Sequence, residues 1–274
     1  MSEDQELQRP YFPDTESLFT EFIQFYGGDV VEHLAENNAE NPNADYIFQN
    51  PKIVAELKTF VKDVFSDPED IPRIQELFTK WIETGDINGK ELIDFLFLGK
   101  QLPQKCINEL IERASKTIER AIHKANKQIE ETKVTFNKEH ASGVVFLIND
   151  GNYFFRNEEF VGVIANLINR KFIVSSFDVV IYLTVNQVTQ KEDSELDYNI
   201  WIPIYTKVDE FGETIVSDEL FHFVNDIGEK FLNDFLTLKT GHESKDFKKI
   251  ETIDDALEEL KKHNFIPKDI IYKK

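Results

Sequence analysis

The chain has 274 residues, enough for one large core or two modest ones, and its 41% apolar content, with 24 Phe, excludes a disordered polymer. A single cysteine, Cys106, excludes an intrachain disulfide and a cysteine-rich metal centre. The net charge of -20, from 31 basic and 51 acidic side chains, argues against a tight, non-specific grip on nucleic acid, but not against a local basic groove or a site that gathers carboxylates.

Residues 1–14 are polar and Pro-broken and read as a flexible arm. Thr15 is placed to cap a helix from Glu16 to Tyr26 that gathers Leu18, Phe19, Phe22, Ile23 and Tyr26 on one side, and Gly27-Gly28 stops it. The stretch 29–36 suits either a helical turn or a short strand, and 37–44 is an Asn-rich loop. Two strands are predicted next, 45–48 and 52–60, separated by the turn-like Gln49-Asn50-Pro51. In the second, alternation sends Ile53, Ala55, Leu57 and Thr59 one way and Val54, Glu56, Lys58 and Phe60 the other.

Helical periodicity dominates from Pro68 to Thr132: helices are predicted over 71–85 and 89–99, and one long amphipathic helix, or two with a kink, over 103–133. A nearly continuous apolar strand follows at 142–150, then a helix at 157–172. Strands at 177–188 and 199–207, a helix at 217–238, a polar linker and a short helix at 252–263 complete the chain. This order predicts a mixed α/β sheet covered by helices: a single domain over 15–238 with a helical insertion at about 68–105, then a linker and small helical extension over 239–274. No basic-then-apolar leader and no apolar run of about 18 residues is visible, so no membrane association is expected and the reducing cytoplasm is the expected compartment.

The chemistry-bearing constellation lies in the two early strands. If they pair as a hairpin, Asp45 approaches Glu56, and two close carboxylates raise each other's proton affinity until a divalent cation resolves the repulsion. Oxygen ligands of this kind suit Mg²⁺ or Mn²⁺, with Asp45 and Glu56 as the metal ligands. Lys58, one strand period beyond Glu56, shares its face and can orient or activate a water, or stabilise charge on a phosphorane. Glu-x-Lys recurs at Glu131, Glu243 and Glu259, but two of those lie on predicted helices and one in a polar linker. The simpler reading keeps Asp45 as a turn residue and Glu56 and Lys58 as an ion pair on the solvent face of an edge strand.

This pattern resembles the PD-(D/E)xK superfamily, the restriction-endonuclease-like fold, over residues 15 to 150. The resemblance implies a core of helix, three strands, helix and strand, with Asp45 opening the second strand and Glu56-x-Lys58 in the third. Ala44 stands where the family has Pro, and some 40 residues are inserted after Lys58. It further implies an acid from the first helix, for which Glu21 is the candidate and Glu32 the second choice. A polar residue from the long helix would join them: Gln128, with Lys124 behind it. The implied function is Mg-dependent phosphodiester cleavage of DNA or RNA, in a defence or repair setting, and cutting both strands of a duplex favours a homodimer. The alternative is a non-catalytic acidic α/β binding or scaffold protein that engages a protein partner.

Elsewhere the six His show no close metal spacing, Asp150 ends a buried strand, and Tyr182, Trp201 and Tyr205 are expected to pack across strands.

Overall fold

The computed structural model describes residues 11–34, 43–62, 65, 68–191, 197–207, 214–241, 250 and 252–265. Residues 1–10 of the expected arm, and most of the expected 239–251 linker, lie outside them. A six-stranded sheet runs in the order β1 (Asp29–Val30), β2 (Tyr46–Phe48), β3 (Ile53–Phe60), β4 (Ser142–Asn149), β5 (Val179–Thr184) and β8 (Trp201–Tyr205). The first three strands are antiparallel neighbours, β3, β4 and β5 are parallel, and β8 is antiparallel to β5. The β2–β3 register pairs Tyr46 with Ala55, so Asp45 stands opposite Glu56. β4 and β5 are buried on both faces, as their unbroken runs of Val, Ile, Leu and Phe require.

Helix α1 (Thr15–Tyr26) begins one residue before the expected start, because the Asp14 carboxylate, not Thr15, accepts the Ser17 amide at 2.9 Å. Gly27, at φ 96°, closes it in the left-handed conformation that glycine adopts without strain. Of the two readings of 29–36, both hold in part: strand β1 passes directly into a single turn, α2 (Val31–Leu34). On one face of the sheet, α1, α7 (Asp218–Glu229) and a π-helical stretch, Lys230–Phe235, bury an aromatic cluster that includes Phe19, Phe22, Phe146 and Phe231. The other face is covered by α5 (Gln104–Thr135), continuous over 32 residues, and α6 (Asn157–Lys171).

The insertion contributes α3 (Ile71–Glu83), which buries Ile74, Leu77, Phe78 and Trp81 in the same core, and α4 (Gly89–Leu98), which buries none of its residues. Helix α4 therefore depends on its ends: Asn88 and Glu91 form a reciprocal capping box, and Gly99 ends the helix in a left-handed turn. Asn88→Ala is expected to cost about 1 kcal/mol. Hydrogen exchange should report that loss as faster exchange centred on α4, whose Leu92 and Phe95 pack on the core only partly buried.

The carboxyl-terminal part departs from expectation. The strand predicted at 177–188 ends at Thr184, and the helix predicted at 217–238 changes pitch at Lys230 before a last turn, α8 (Leu236–Thr240). Helix α9 (Ile253–Leu260) inserts Ala256 and Leu260 into the main core beside α6, so it is integral where a small extension was expected. A second sheet, unforeseen, pairs β6 (Thr189–Lys191) with β7 (Asp197–Tyr198) and with β9 (His263–Phe265). Among the described residues no helix is long and apolar enough to cross a membrane.

Candidate active site

Strand alternation works as the sequence implies: Val54 and Phe60 join the core under α5 and α6, while Ile53, Ala55 and Leu57 join the aromatic face. Glu56 and Lys58 consequently project toward α5. Glu56 is buried, with 1% of its surface exposed, and the Lys58 side chain retains 17%. The Lys58 ammonium bonds Glu56 Oε1 and donates to Gln128 Oε1 at 3.0 Å. Gln128 in turn donates through Nε2 to the Asn43 carbonyl at 2.9 Å. One turn later on α5, the Thr132 hydroxyl accepts the Ala44 amide at 2.6 Å. Two side chains of one helix thus hold the backbone immediately before Asp45. The Asp45 carboxylate accepts the Leu57 amide at 2.8 Å, which locks it against the strand that carries Glu56.

The electrostatics follow from this packing. Burial, reinforced by the charge of Asp45, pushes the Glu56 carboxyl up to about 8 against the opposing pull of Lys58. Burial also raises Asp45, while the Leu57 amide, Lys58 and Glu56 work in the other direction and the charge of Glu16 adds to the rise. The pair therefore retains a proton at neutrality, on the more buried Glu56. Glu56 Oε2 is fully buried, with no partner but the neighbouring Asp45 carboxylate, to which it donates when it holds the proton. The place of that proton, between two carboxylates, is where a divalent cation would bind in its stead.

Of the five expected site residues, Asp45, Glu56, Lys58 and Gln128 come together and Glu21 does not. Glu21 is exposed and paired with Lys239, because that side of α1 faces away from β2 and β3. The acid of α1 whose charge reaches Asp45 is Glu16, in the first turn. Thr20, one turn on, has its hydroxyl 2.8 Å from that of Tyr46. Glu32 lies on α2, and Lys124 is exposed on α5. Thr132 was missed, although its spacing of four from Gln128 signals a shared helix face.

The solvent-face reading of Glu56 and Lys58 is overturned by the burial of Glu56 and by the position of β3 between β2 and β4. Asp150 is buried and accepts the Thr15 hydroxyl at 3.4 Å, joining the end of β4 to the start of α1. Tyr182 lies wholly buried with its hydroxyl bonded to Asn157 and Asn149, Trp201 packs on Phe146 and Phe231, and Tyr205 stacks on Phe221. Cys106 is buried in the core.

As a cation site the arrangement offers two carboxylates. Among the described residues no group of three or more His, Cys, Asp or Glu is disposed to hold a metal ion. Two carboxylates fit Mg²⁺ or Mn²⁺, which retain several waters and fill their remaining positions from substrate oxygens. They would not fit a metal that needs a complete protein cage. Comparison with family models, with curated proteins and with solved structures finds no match for this chain.

Proposed function

We propose that this protein is a Mg²⁺- or Mn²⁺-dependent phosphodiesterase of the restriction-endonuclease-like, PD-(D/E)xK type, acting on DNA or RNA. The observation that carries the reading is half-buried Asp45 facing buried Glu56 across the hairpin, with Lys58 one strand period away. The order helix, three antiparallel strands, helix, parallel strand supports it, since α1, β1, β2, β3, α5 and β4 follow the core that the resemblance implies.

Asp45 and Glu56 would hold the cation, with Glu16 near enough to add its charge. A divalent ion there supplies Lewis acidity toward a phosphoryl oxygen and a more acidic water. Lys58 hydrogen-bonds the attacking water and neutralises charge that develops on the phosphoryl oxygens. Gln128 keeps the Lys58 ammonium in place, and its second bond to Asn43 ties that placement to the segment that presents Asp45.

Calorimetric titration of Mn²⁺ into wild type and D45A/E56A, with a cleavage assay on the same samples, tests the assignment. Saturable binding and cleavage, both lost in the double variant, are the expected results. No saturable binding to wild type, even with nucleic acid present, would remove the metal-nuclease reading. A second reading, a non-catalytic binding protein, would then stand on a separate observation: Ile93, Leu96, Phe97 and Leu98 of α4 are exposed, Phe97 to 78%.

A further inference from the structure

Helix α5 carries seven Lys and Arg side chains. Four of the lysines are engaged: Lys105 by Asp86, Lys116 by Glu112, Lys127 by Glu131, and Lys133 by the Ser176 carbonyl. Arg113, Arg120 and Lys124 have no carboxylate partner among the described residues. At about 100° per residue these three fall within about 40° of one another around the helix, and Gln128 follows about 40° further round toward the sheet. The rise from Arg113 to Gln128 is about 22 Å. On this flank no acid lies between Glu109, which Lys80 and Trp81 hold, and Glu131, which Lys127 holds. In a chain with a net charge of -20, three adjoining unpaired cations that run up to the active-site glutamine form a local exception.

From this we infer a nucleic-acid track: Arg113, Arg120 and Lys124 hold phosphates spaced along the strand whose scissile phosphodiester sits at Asp45, Glu56 and Lys58. The inference rests on the active-site reading above. The span corresponds to about six nucleotides at 3.4 Å per nucleotide of a strand. The opposing field of the rest of the protein is screened beyond about 10 Å at 0.1 M salt, so phosphates in contact with the ridge feel chiefly the ridge. A membrane surface fits less well, because a helix lying on lipid needs an apolar face beside its cations. The one large apolar side chain exposed on α5 is Val134, at its far end.

The test is fluorescence anisotropy in EDTA with labelled single-stranded DNA, duplex DNA and RNA of about 12 nucleotides, at salt from about 50 to 200 mM. R113A/R120A/K124A is compared with a charge-matched control, K52A/K90A/R170A, whose side chains are exposed elsewhere. The track variant should lose at least about tenfold in affinity at the lowest salt. Its salt slope should become shallower by about 2.7 for duplex or about 2.1 for single strands, and the control should behave as wild type. Arg120→Glu alone should weaken binding in the same direction, which keeps the test decisive if the triple variant folds poorly. Equal binding by the track variant and the control, or no binding by wild type, overturns the track. Cleavage on Mg²⁺ or Mn²⁺ addition separates the two claims. Wild type that cleaves without needing the ridge leaves the active site standing and the track refuted. Wild type that binds through the ridge but never cleaves leaves the track standing and the active-site reading refuted.

Discussion

Glu56→Gln is expected to give a protein without catalytic activity that is nonetheless more stable than wild type in alkaline, metal-free solution. The unfolded chain releases the Glu56 proton near 4.5, whereas the folded chain keeps it up to about 8. Between those values the native state binds the extra proton, so raising the pH across this window withdraws stability. Below the window Glu56 is neutral in both states and costs nothing. Above it, the folded chain carries a buried charge, and a shift of this size corresponds to a few kcal/mol. The raised Asp45 contributes a slope of the same sign. Glutamine keeps the shape and removes the titration, so urea unfolding in EDTA should give a flatter dependence on pH for the variant. The two curves should converge near pH 5 and separate most above about pH 8. A wild-type protein equally stable at pH 6 and pH 9 would show that Glu56 is not desolvated as the structure has it. On the proposed function, Mn²⁺ binding should also be lost in this variant, because an amide oxygen without charge replaces the carboxylate that would hold the cation.

Lys58→Met separates holding the cation from using it. The ammonium occupies Glu56 Oε1 and places a positive charge where a divalent ion would approach. Its removal therefore frees an oxygen and removes a like-charge repulsion, and Mn²⁺ affinity should equal or exceed that of wild type. Cleavage should fall by about 10²–10⁴-fold, the usual contribution of a positioned acid–base or charge-stabilising group. Single-turnover cleavage at saturating Mn²⁺, beside a calorimetric isotherm, reads both quantities. Full activity in the variant would assign Lys58 to packing alone. Loss of metal affinity would mean that the lysine serves chiefly to keep the two carboxylates in place.

Several parts of this arrangement were legible in the residues because they follow from local periodicity. Alternation in Ile53–Phe60 puts Glu56 and Lys58 on one face, and the short turn before it makes Asp45 a cross-strand neighbour. The apolar stripe of α5 fixes its buried side, and Gln128 lies at the border of that stripe. What escaped depends on three-dimensional placement. The stripe Leu18, Phe19, Phe22 and Ile23 identifies the buried face of α1 but not which of its ends meets the strands, so Glu21 was chosen where Glu16 is the nearer acid. Apolar Val185 and Val188 beyond Thr184 hide the end of β5, since a buried turn and a buried strand look alike there. The second sheet joins Thr189–Lys191 to His263–Phe265, strands too short for periodicity and too distant in sequence for a turn signal.

The parallel pairing of β3 with β4 also dictates when the acid pair acquires its character. Asp45, Glu56 and Lys58 are synthesised together on a hairpin, but residues 61–141, including all of α5, must follow before β4 can lie beside β3. A two-stranded hairpin is marginal in water, so during synthesis these side chains remain hydrated and the two carboxylates keep their ordinary proton affinity. Their desolvation belongs to a late, long-range closure, the kind of step whose loop entropy slows folding. The nascent chain thus carries its most strained electrostatics only after α5 and β4 have arrived to enclose them.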